Sequence, residues 1–133
     1  MYKRQVYCYN LFGLQQFKVQ GDQPIPAGEH QVRMEFAYDG GGLAKGGDVT
    51  LFIDGAKVGQ GRVGATQPMI FSGDETTDVG CDSATPVSDD YGPKDSRFSG
   101  RVRWVEIDLG EAAEDLDHLI TPEERLRIAM AKQ

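Results

Sequence analysis

The stretch Asp48-Val49-Thr50-Leu51-Phe52-Ile53-Asp54-Gly55-Ala56-Lys57-Val58-Gly59-Gln60-Gly61 decides the fold class of this chain. Asp-Gly favours a two-residue type I′ hairpin turn, because both central residues of that turn need a positive φ. With this turn, Ile53 faces Ala56 and Leu51 faces Val58. One side of the hairpin is then apolar and the other mixed, which predicts an antiparallel sheet covered on one face. The apolar side carries Val49, Leu51, Ile53, Ala56 and Val58, and the mixed side carries Thr50, Phe52 and Lys57.

Further strands are predicted on both sides of this hairpin. Val6 to Phe12 and Phe17 to Gln20 are rich in aromatic and β-branched residues and predict one or two strands around Gly13. From His30 to Asp39 apolar and polar residues alternate with a period of two, so we expect one face of that strand to be core. Ser99 to Leu109 predicts another strand. The apolar residues change from one side of this strand to the other after Trp104, which indicates a bulge. The expected core face between His30 and Asp39 consists of Val32, Met34, Phe36 and Tyr38.

An apolar sheet face needs a second layer to cover it, so the strands together predict an all-β fold. We expect an antiparallel β-sandwich of the jelly-roll or concanavalin-like type, with about six to nine strands. A short C-terminal α-helix follows, because Thr121-Pro122-Glu123-Glu124 combines an N-cap threonine, a proline at the first helical position and a glutamate that completes a capping box.

The length of 133 residues is the usual size of one domain. The first five residues, Met1-Tyr2-Lys3-Arg4-Gln5, look like translated sequencing-adapter sequence, so we expect residues 1–5 to be a non-native end with the true start upstream. Residues 6–110 then form the β-sandwich domain. Residues 111–133 form an acidic linker and the C-terminal helix.

The charge of −7 opposes a phosphate backbone and an anionic membrane surface, so we expect neither nucleic acid nor membrane as a partner. Cys8 and Cys81 lack the spacing of a metal knuckle or a redox pair. They are interpreted as two free thiols, with a disulfide between them as the alternative. The compartment stays open between cytoplasm and periplasm.

The segment from Ser72 to Ser96 has little periodicity and is rich in acidic residues, which predicts a long loop held by its own contacts. Oxygen clusters of this kind suit Ca²⁺, although the spacing does not fit the twelve-residue calcium loop and acidic loops are usually only solvated. Both interpretations stay open. The candidate metal ligands are Asp78, Asp82 and Asp90, and Tyr91 joins them as a candidate for contact with a substrate. The two histidines, His30 and His118, are interpreted as surface or hydrogen-bonded residues rather than general bases.

Several segments, in order, resemble the C-terminal region of bacterial arylsulfatases of the formylglycine family, and the resemblance extends over most of the chain from about Tyr9 onward. They are Pro26 to Gly42, the Asp54-Gly55 turn, Thr66 to Ser72 and Asp78 to Ser88. In that family an N-terminal catalytic domain carries a formylglycine, made from the first residue of a Cys/Ser-x-Pro-x-Arg motif, and bound Ca²⁺. No cysteine and no serine of this chain begins such a motif.

The resemblance implies a non-catalytic C-terminal domain of a sulfuric ester hydrolase, with the catalytic domain as its partner and no catalytic residue of its own. Formylglycine and Ca²⁺ would belong to the catalytic domain. The segment from Ser72 to Ser96 would lie near the mouth of the active site, which is why Asp78, Asp82, Asp90 and Tyr91 are its candidate site residues. The alternative is a lectin-like β-sandwich module that binds carbohydrate or Ca²⁺ by itself.

Overall fold

The computed structural model of the chain describes residues 4–68, 77–83, 85–92 and 94–109, together with Met130. These residues contain five strands in two antiparallel sheets. One sheet has the order β1-β2 and the other the order β3-β4-β5. The strands are β1 (Arg4–Leu11), β2 (Gln15–Pro24), β3 (Val32–Tyr38), β4 (Gly47–Ile53) and β5 (Ala56–Val63).

Of the one or two strands predicted around Gly13, the structure has two, which form the β1–β2 hairpin. Phe12 and Gly13 have φ angles of 53° and 71°, and the Leu14 N–H donates to the Leu11 carbonyl oxygen at 2.9 Å. Two positive φ angles in succession are those of a type I′ turn, whose twist matches that of the strands. Strand β1 begins at Arg4, within the residues predicted to be a non-native end.

The β4–β5 hairpin has the predicted turn but not the whole predicted register. Asp54 and Gly55 have φ angles of 49° and 81°, and Ile53 pairs with Ala56. Phe52 then pairs with Lys57, but Leu51 faces Gly59 rather than Val58. The expected pairing of Leu51 with Val58 is therefore wrong. Val58 is the extra residue of a β-bulge. The bulge leaves the Val58 side chain buried in the core and places a glycine opposite Leu51.

The core lies between the two sheets, on the predicted apolar face of β4 and β5. Strand β2 packs against β5. Four partly buried residues complete the cluster from the edges: Tyr7, Tyr9, Phe17 and Ile25. Of the five residues predicted on the apolar face of the β4–β5 hairpin, Ala56 alone is exposed and lies outside the core. The buried residues are Val19, Val49, Leu51, Ile53, Val58 and Val63.

Strand β3 differs from its prediction, because its apolar row is not core. Val32 pairs with Ile53 and Met34 with Leu51, so the row lies on the same face of the sheet as the buried residues of β4. Yet Val32, Met34 and Phe36 are 51%, 42% and 37% exposed. The β1–β2 hairpin covers β5 and part of β4. The covering layer is too narrow to bury β3 as well.

The predicted strand from Ser99 to Leu109 is wrong, because the structure has no strand over these residues. A strand needs a neighbour for its backbone hydrogen bonds, and no other strand in the described ranges pairs with this segment. The predicted bulge after Trp104 therefore has no ladder in which to form. The predicted C-terminal helix with its capping box and the linker 111–133 lie outside the described residues, apart from Met130.

In the described ranges the fold is thus all-β and antiparallel, with two sheets. The residues from Val102 to Leu109 belong to a second unit, separate from the one that contains the two sheets. Within the described part of the chain, no helix has both the length and the apolar character needed to cross a bilayer.

Candidate functional site

The acidic loop, residues 77–98 apart from 84 and 93, lies against the outer face of the β1–β2 hairpin. The carbonyl oxygen of Val87 accepts a hydrogen bond from Asn10 Nδ2 at 3.0 Å and a weaker one from Cys8 Sγ at 3.7 Å. Lys18, which pairs with Cys8 across the two strands, forms ion pairs with Asp89 and, at 3.0 Å, with Asp90. These contacts join the loop to the side of the hairpin that faces away from the core.

Asp82 organises the middle of the acidic loop. Its Oδ2 accepts hydrogen bonds from the Tyr91 hydroxyl at 2.5 Å and from the Val87 N–H at 3.0 Å. Its main-chain carbonyl accepts one from Ser96 Oγ at 2.8 Å. Burial, followed by the hydrogen bond to the Asp82 carboxylate, raises the pKa of Tyr91 to about 12. Tyr91 is therefore a hydrogen-bond donor at neutral pH. Its bond to Asp82 links two parts of the loop that are nine residues apart.

Asp78 and Asp90 have local partners of their own. Asp78 Oδ2 accepts from the N–H of Ser83 at 2.8 Å and from its hydroxyl at 2.6 Å, and these bonds lower the pKa of Asp78. Asp90 accepts from the hydroxyl of the buried Ser88 at 2.7 Å. That bond, together with Lys18, lowers the pKa of Asp90. Both carboxylates are thus stabilised in their charged form by groups of the loop and the hairpin.

The structure brings together only two of the four predicted site residues, Asp82 and Tyr91. Asp78 and Asp90 bond to different groups, and no set of three or more histidine, cysteine or acidic side chains in the described ranges is arranged to hold a metal ion. Each of these carboxylates accepts two hydrogen bonds or ion pairs from the loop or the hairpin. These contacts hold the loop in its folded shape.

Two residues outside the predicted site hold the loop in place, Lys18 and Asn10. Their position could have been inferred from strand parity, because residues 8, 10, 16 and 18 alternate with the core residues and must face outward. The excess of acidic side chains in the loop was the second signal, since a lysine on that outer face is a natural partner for them. The sequence could not show that these two segments, which are far apart along the chain, lie next to each other in the fold.

His30 is a hydrogen-bonded residue next to the hairpin turn. Its Nδ1 lies 2.7 Å from Asp54 Oδ2, and its Nε2 lies 3.4 Å from the carbonyl oxygen of Ala27. The other carboxylate oxygen of Asp54 accepts from the Gln31 N–H at 2.9 Å. The bond to Asp54, and then that to Ala27, raises the pKa of His30. The two ring nitrogens thus link the hairpin turn to the segment before β3, and the contacts favour the charged form of the ring. His118 lies outside the described residues.

Cys8 and Cys81 are both free thiols in the structure. Burial is the main reason that the pKa of Cys8 is raised, so its thiol is protonated at neutral pH. A protonated thiol is a poor nucleophile. The described residues thus provide an ordered loop whose carboxylates are hydrogen-bonded to neighbouring groups.

No family model matches the chain, and neither a curated protein nor a solved structure is similar to it.

Proposed function

We propose that this chain is a non-catalytic C-terminal accessory domain of an arylsulfatase, which packs on the catalytic domain and supports the mouth of its active site. Support comes from the ordered series of motifs that resemble the C-terminal region of those enzymes. It also comes from the structural contacts made by the carboxylates of Asp78, Asp82 and Asp90, by His30 and by the Cys8 thiol.

The observation that carries the proposal is the apolar segment between Val102 and Leu109. Five of its side chains are large and apolar, and each is well exposed to solvent. Burying one such side chain fully is worth about 1.5–3 kcal/mol, so a segment of this composition favours a protein surface over water. A catalytic domain preceding this chain in the same polypeptide supplies such a surface. The exposed fractions are 43% for Val102, 61% for Trp104, 59% for Val105, 72% for Ile107 and 75% for Leu109.

The acidic loop suits the second part of the proposal, support of the active-site mouth. A loop that borders an active site must keep its shape when substrate arrives, and this one is fixed internally by Asp82 and externally by Lys18. Its exposed carboxylates also give the loop a negative charge. That charge would disfavour a second sulfate group near the mouth and so favour substrates with one anionic group.

The docking experiment uses the complete enzyme that contains this chain. Trp104→Ser and Ile107→Ser each remove apolar surface from the docking segment. We expect each to shorten the half-life of aryl sulfate hydrolysis at elevated temperature by about tenfold, since the lost burial is worth at least one factor of ten. Leu14→Ser is the matched control, because Leu14 is 86% exposed at the β1–β2 turn. Equal half-lives for all three variants and the unchanged enzyme would contradict the proposal.

The lectin-like alternative has a direct test on this chain. Calorimetry with Ca²⁺ and with a panel of sulfated and neutral glycans should give no heat of binding if the chain is an accessory domain. Saturable heat with a glycan that Asp82→Asn or Tyr91→Phe abolishes would instead establish an independent binding module.

A further inference from the structure

Strand β3 is an edge strand whose outer backbone groups are available for pairing. Within the described ranges it pairs with β4 alone. The Asp54 N–H donates to the Gln31 carbonyl at 2.9 Å, and the Asp39 N–H donates to the Gly46 carbonyl at 3.0 Å. Hydrogen bonding toward the neighbour alternates along an antiparallel strand, so the odd-numbered residues between these two bond to β4. The backbone N–H and C=O groups of Val32, Met34 and Phe36 therefore point away from β4.

The same three residues carry the half-exposed apolar row, so within the described ranges the edge combines backbone groups that β4 does not use with partly exposed apolar side chains. Natural edge strands usually avoid this combination by charge, proline or coverage, because it promotes pairing with another strand. The side chains of Arg33 and Glu35 lie on the opposite face and are bonded to each other at 2.8 Å. Arg33 also stacks over the Phe52 ring at 4.2 Å, which fixes its position beside the edge.

The sequence of β3 is complementary to itself when read in the antiparallel direction. If Met34 lies opposite Met34 of the partner subunit, Val32 lies opposite Phe36 of the partner subunit. Arg33 then lies opposite Glu35 of the partner subunit, and the two-fold axis repeats each pair. In this register the outward backbone groups of the even-numbered residues face each other, as an antiparallel ladder requires.

Charge selects this register over its neighbours. Moving the two-fold axis to Arg33 would place the two copies of Arg33 opposite each other, and moving it to Glu35 would do the same for the glutamates. Like charges directly opposite are destabilising. A larger shift, with Arg33 opposite Asp39 of the partner subunit, would place Glu35 opposite Ala37 of the partner subunit and leave Glu35 without a charged partner across the strands.

We propose that two copies of this chain associate through antiparallel pairing of their β3 strands, centred on Met34, so that their three-stranded sheets form one continuous sheet. Pairing would cover the apolar row next to the core with the same row of the second copy. It goes beyond the proposed accessory function and uses a different surface, since the docking segment lies between Val102 and Leu109.

The experiment measures sedimentation of the whole chain over a range of concentrations, for single, double and mixed variants. Arg33→Glu makes both charges at the β3 edge negative, and Glu35→Arg makes both positive. Each single variant should weaken self-association by about tenfold or more, because two attractive pairs become repulsive. The double variant, Arg33→Glu with Glu35→Arg, should restore it. An equimolar mixture of the two single variants should also associate, as a heterodimer.

Controls separate a change of charge from a change at the edge. Lys57→Glu changes the net charge as Arg33→Glu does, and Asp22→Arg changes it as Glu35→Arg does, but both positions lie on other strands. Both controls should associate like the unchanged chain. Met34→Pro removes an N–H that β4 does not use, and it should abolish association. Circular dichroism of each variant checks that the strands remain.

A chain that stays monomeric at every concentration would overturn the proposal and leave the row to a different protein. So would single variants that associate as well as the unchanged chain. A double variant that fails to recover would overturn the antiparallel register. None of these results depends on sulfatase activity, so failure here and failure of the accessory function are separate outcomes.

Discussion

Gly61 lies directly beneath Val19, and the two residues set the distance between the sheets. A Cβ atom at Gly61 would be 2.5 Å from Cγ2 of Val19, much closer than carbon atoms approach one another. Gly59 has a similar role two residues earlier, where a Cβ would lie 2.9 Å from the Gln20 carbonyl oxygen. Strand β2 therefore rests on the backbone of β5, and the glycines permit this approach.

Replacing Gly61 by alanine should destabilise the fold. The added methyl must push Val19 or β2 away, and overpacking of this kind costs about 1–3 kcal/mol. Denaturant unfolding followed by tryptophan fluorescence or circular dichroism measures the change in the free energy of unfolding. Gly92→Ala is the matched control, because nothing lies within 4 Å of a Cβ at Gly92. Equal stabilities of the two variants would show that the sheets do not pack so closely.

Truncation of Leu51 tests the position of the core. Leu51 is fully buried at the centre of β4, so Leu51→Ala should cost about 2–5 kcal/mol of unfolding free energy. Leu14 is the matched leucine, exposed at the β1–β2 turn, and Leu14→Ala should change stability by less than about 0.5 kcal/mol. Comparable losses in the two variants would mean that the core is not between β2 and the sheet of β4 and β5.

The His30–Asp54 pair should make stability depend on pH in two directions. The pKa of His30 is raised in the folded chain, so its contribution is full below the ordinary histidine value of 6.5 and is lost as the pH rises through the raised pKa. The hydrogen bond from His30 lowers the pKa of Asp54. The contribution of Asp54 is therefore full above its ordinary value of 3.8 and is lost as the pH falls through the lowered pKa. The pair thus stabilises the fold most between these ordinary values.

Thermal unfolding of His30→Gln against the unchanged chain checks this prediction across the pH range. The difference in Tm should be largest between pH 4 and pH 6 and should shrink at alkaline pH, where the unchanged chain loses the imidazolium. His118→Gln is the control, since it removes the other histidine of the chain. A constant difference in Tm from acid to alkaline pH would contradict a role for the charged pair.

Burial of Tyr91 and its hydrogen bond to Asp82 should raise the pKa of the tyrosine. Titration of the Tyr91 ring-carbon chemical shift should give a pKa of about 12, against an ordinary value of 10.0. Asp82→Asn removes the negative charge next to the phenol and should lower the pKa of Tyr91, while Asp78→Asn, which alters a carboxylate bonded to Ser83, should leave it unchanged. A Tyr91 that titrates at the ordinary value in the unchanged chain would show that the loop is not closed in this way.

Local sequence signals predicted much of the fold. The Asp54-Gly55 turn follows from turn chemistry, and strand structure around Gly13 follows from aromatic and β-branched composition; both are confirmed. The bulge at Val58 could not be predicted, because it depends on β2 lying over Gly59. Alternation along β3 indicated a buried face, but burial also requires a covering layer, and the hairpin is too narrow to provide one over β3.

The site was predictable only in part, for a related reason. Acidic composition identified the loop and its members Asp82 and Tyr91, which do bond to each other. Composition could not show that Asp78 and Asp90 are bonded to neighbouring serines, because those bonds depend on the path of the backbone within the loop. The ion pairs with Lys18 required the tertiary fold itself, since they connect β2 with a segment far along the chain.

Hydrolysis of an aryl sulfate by the complete protein that contains this chain is the most direct test of the accessory-domain proposal. We predict that this protein carries a Cys/Ser-x-Pro-x-Arg motif outside the chain, that it hydrolyses the ester, and that replacing the first residue of the motif by alanine abolishes hydrolysis. A complete protein without the motif, or one that leaves the ester intact, would contradict the proposal.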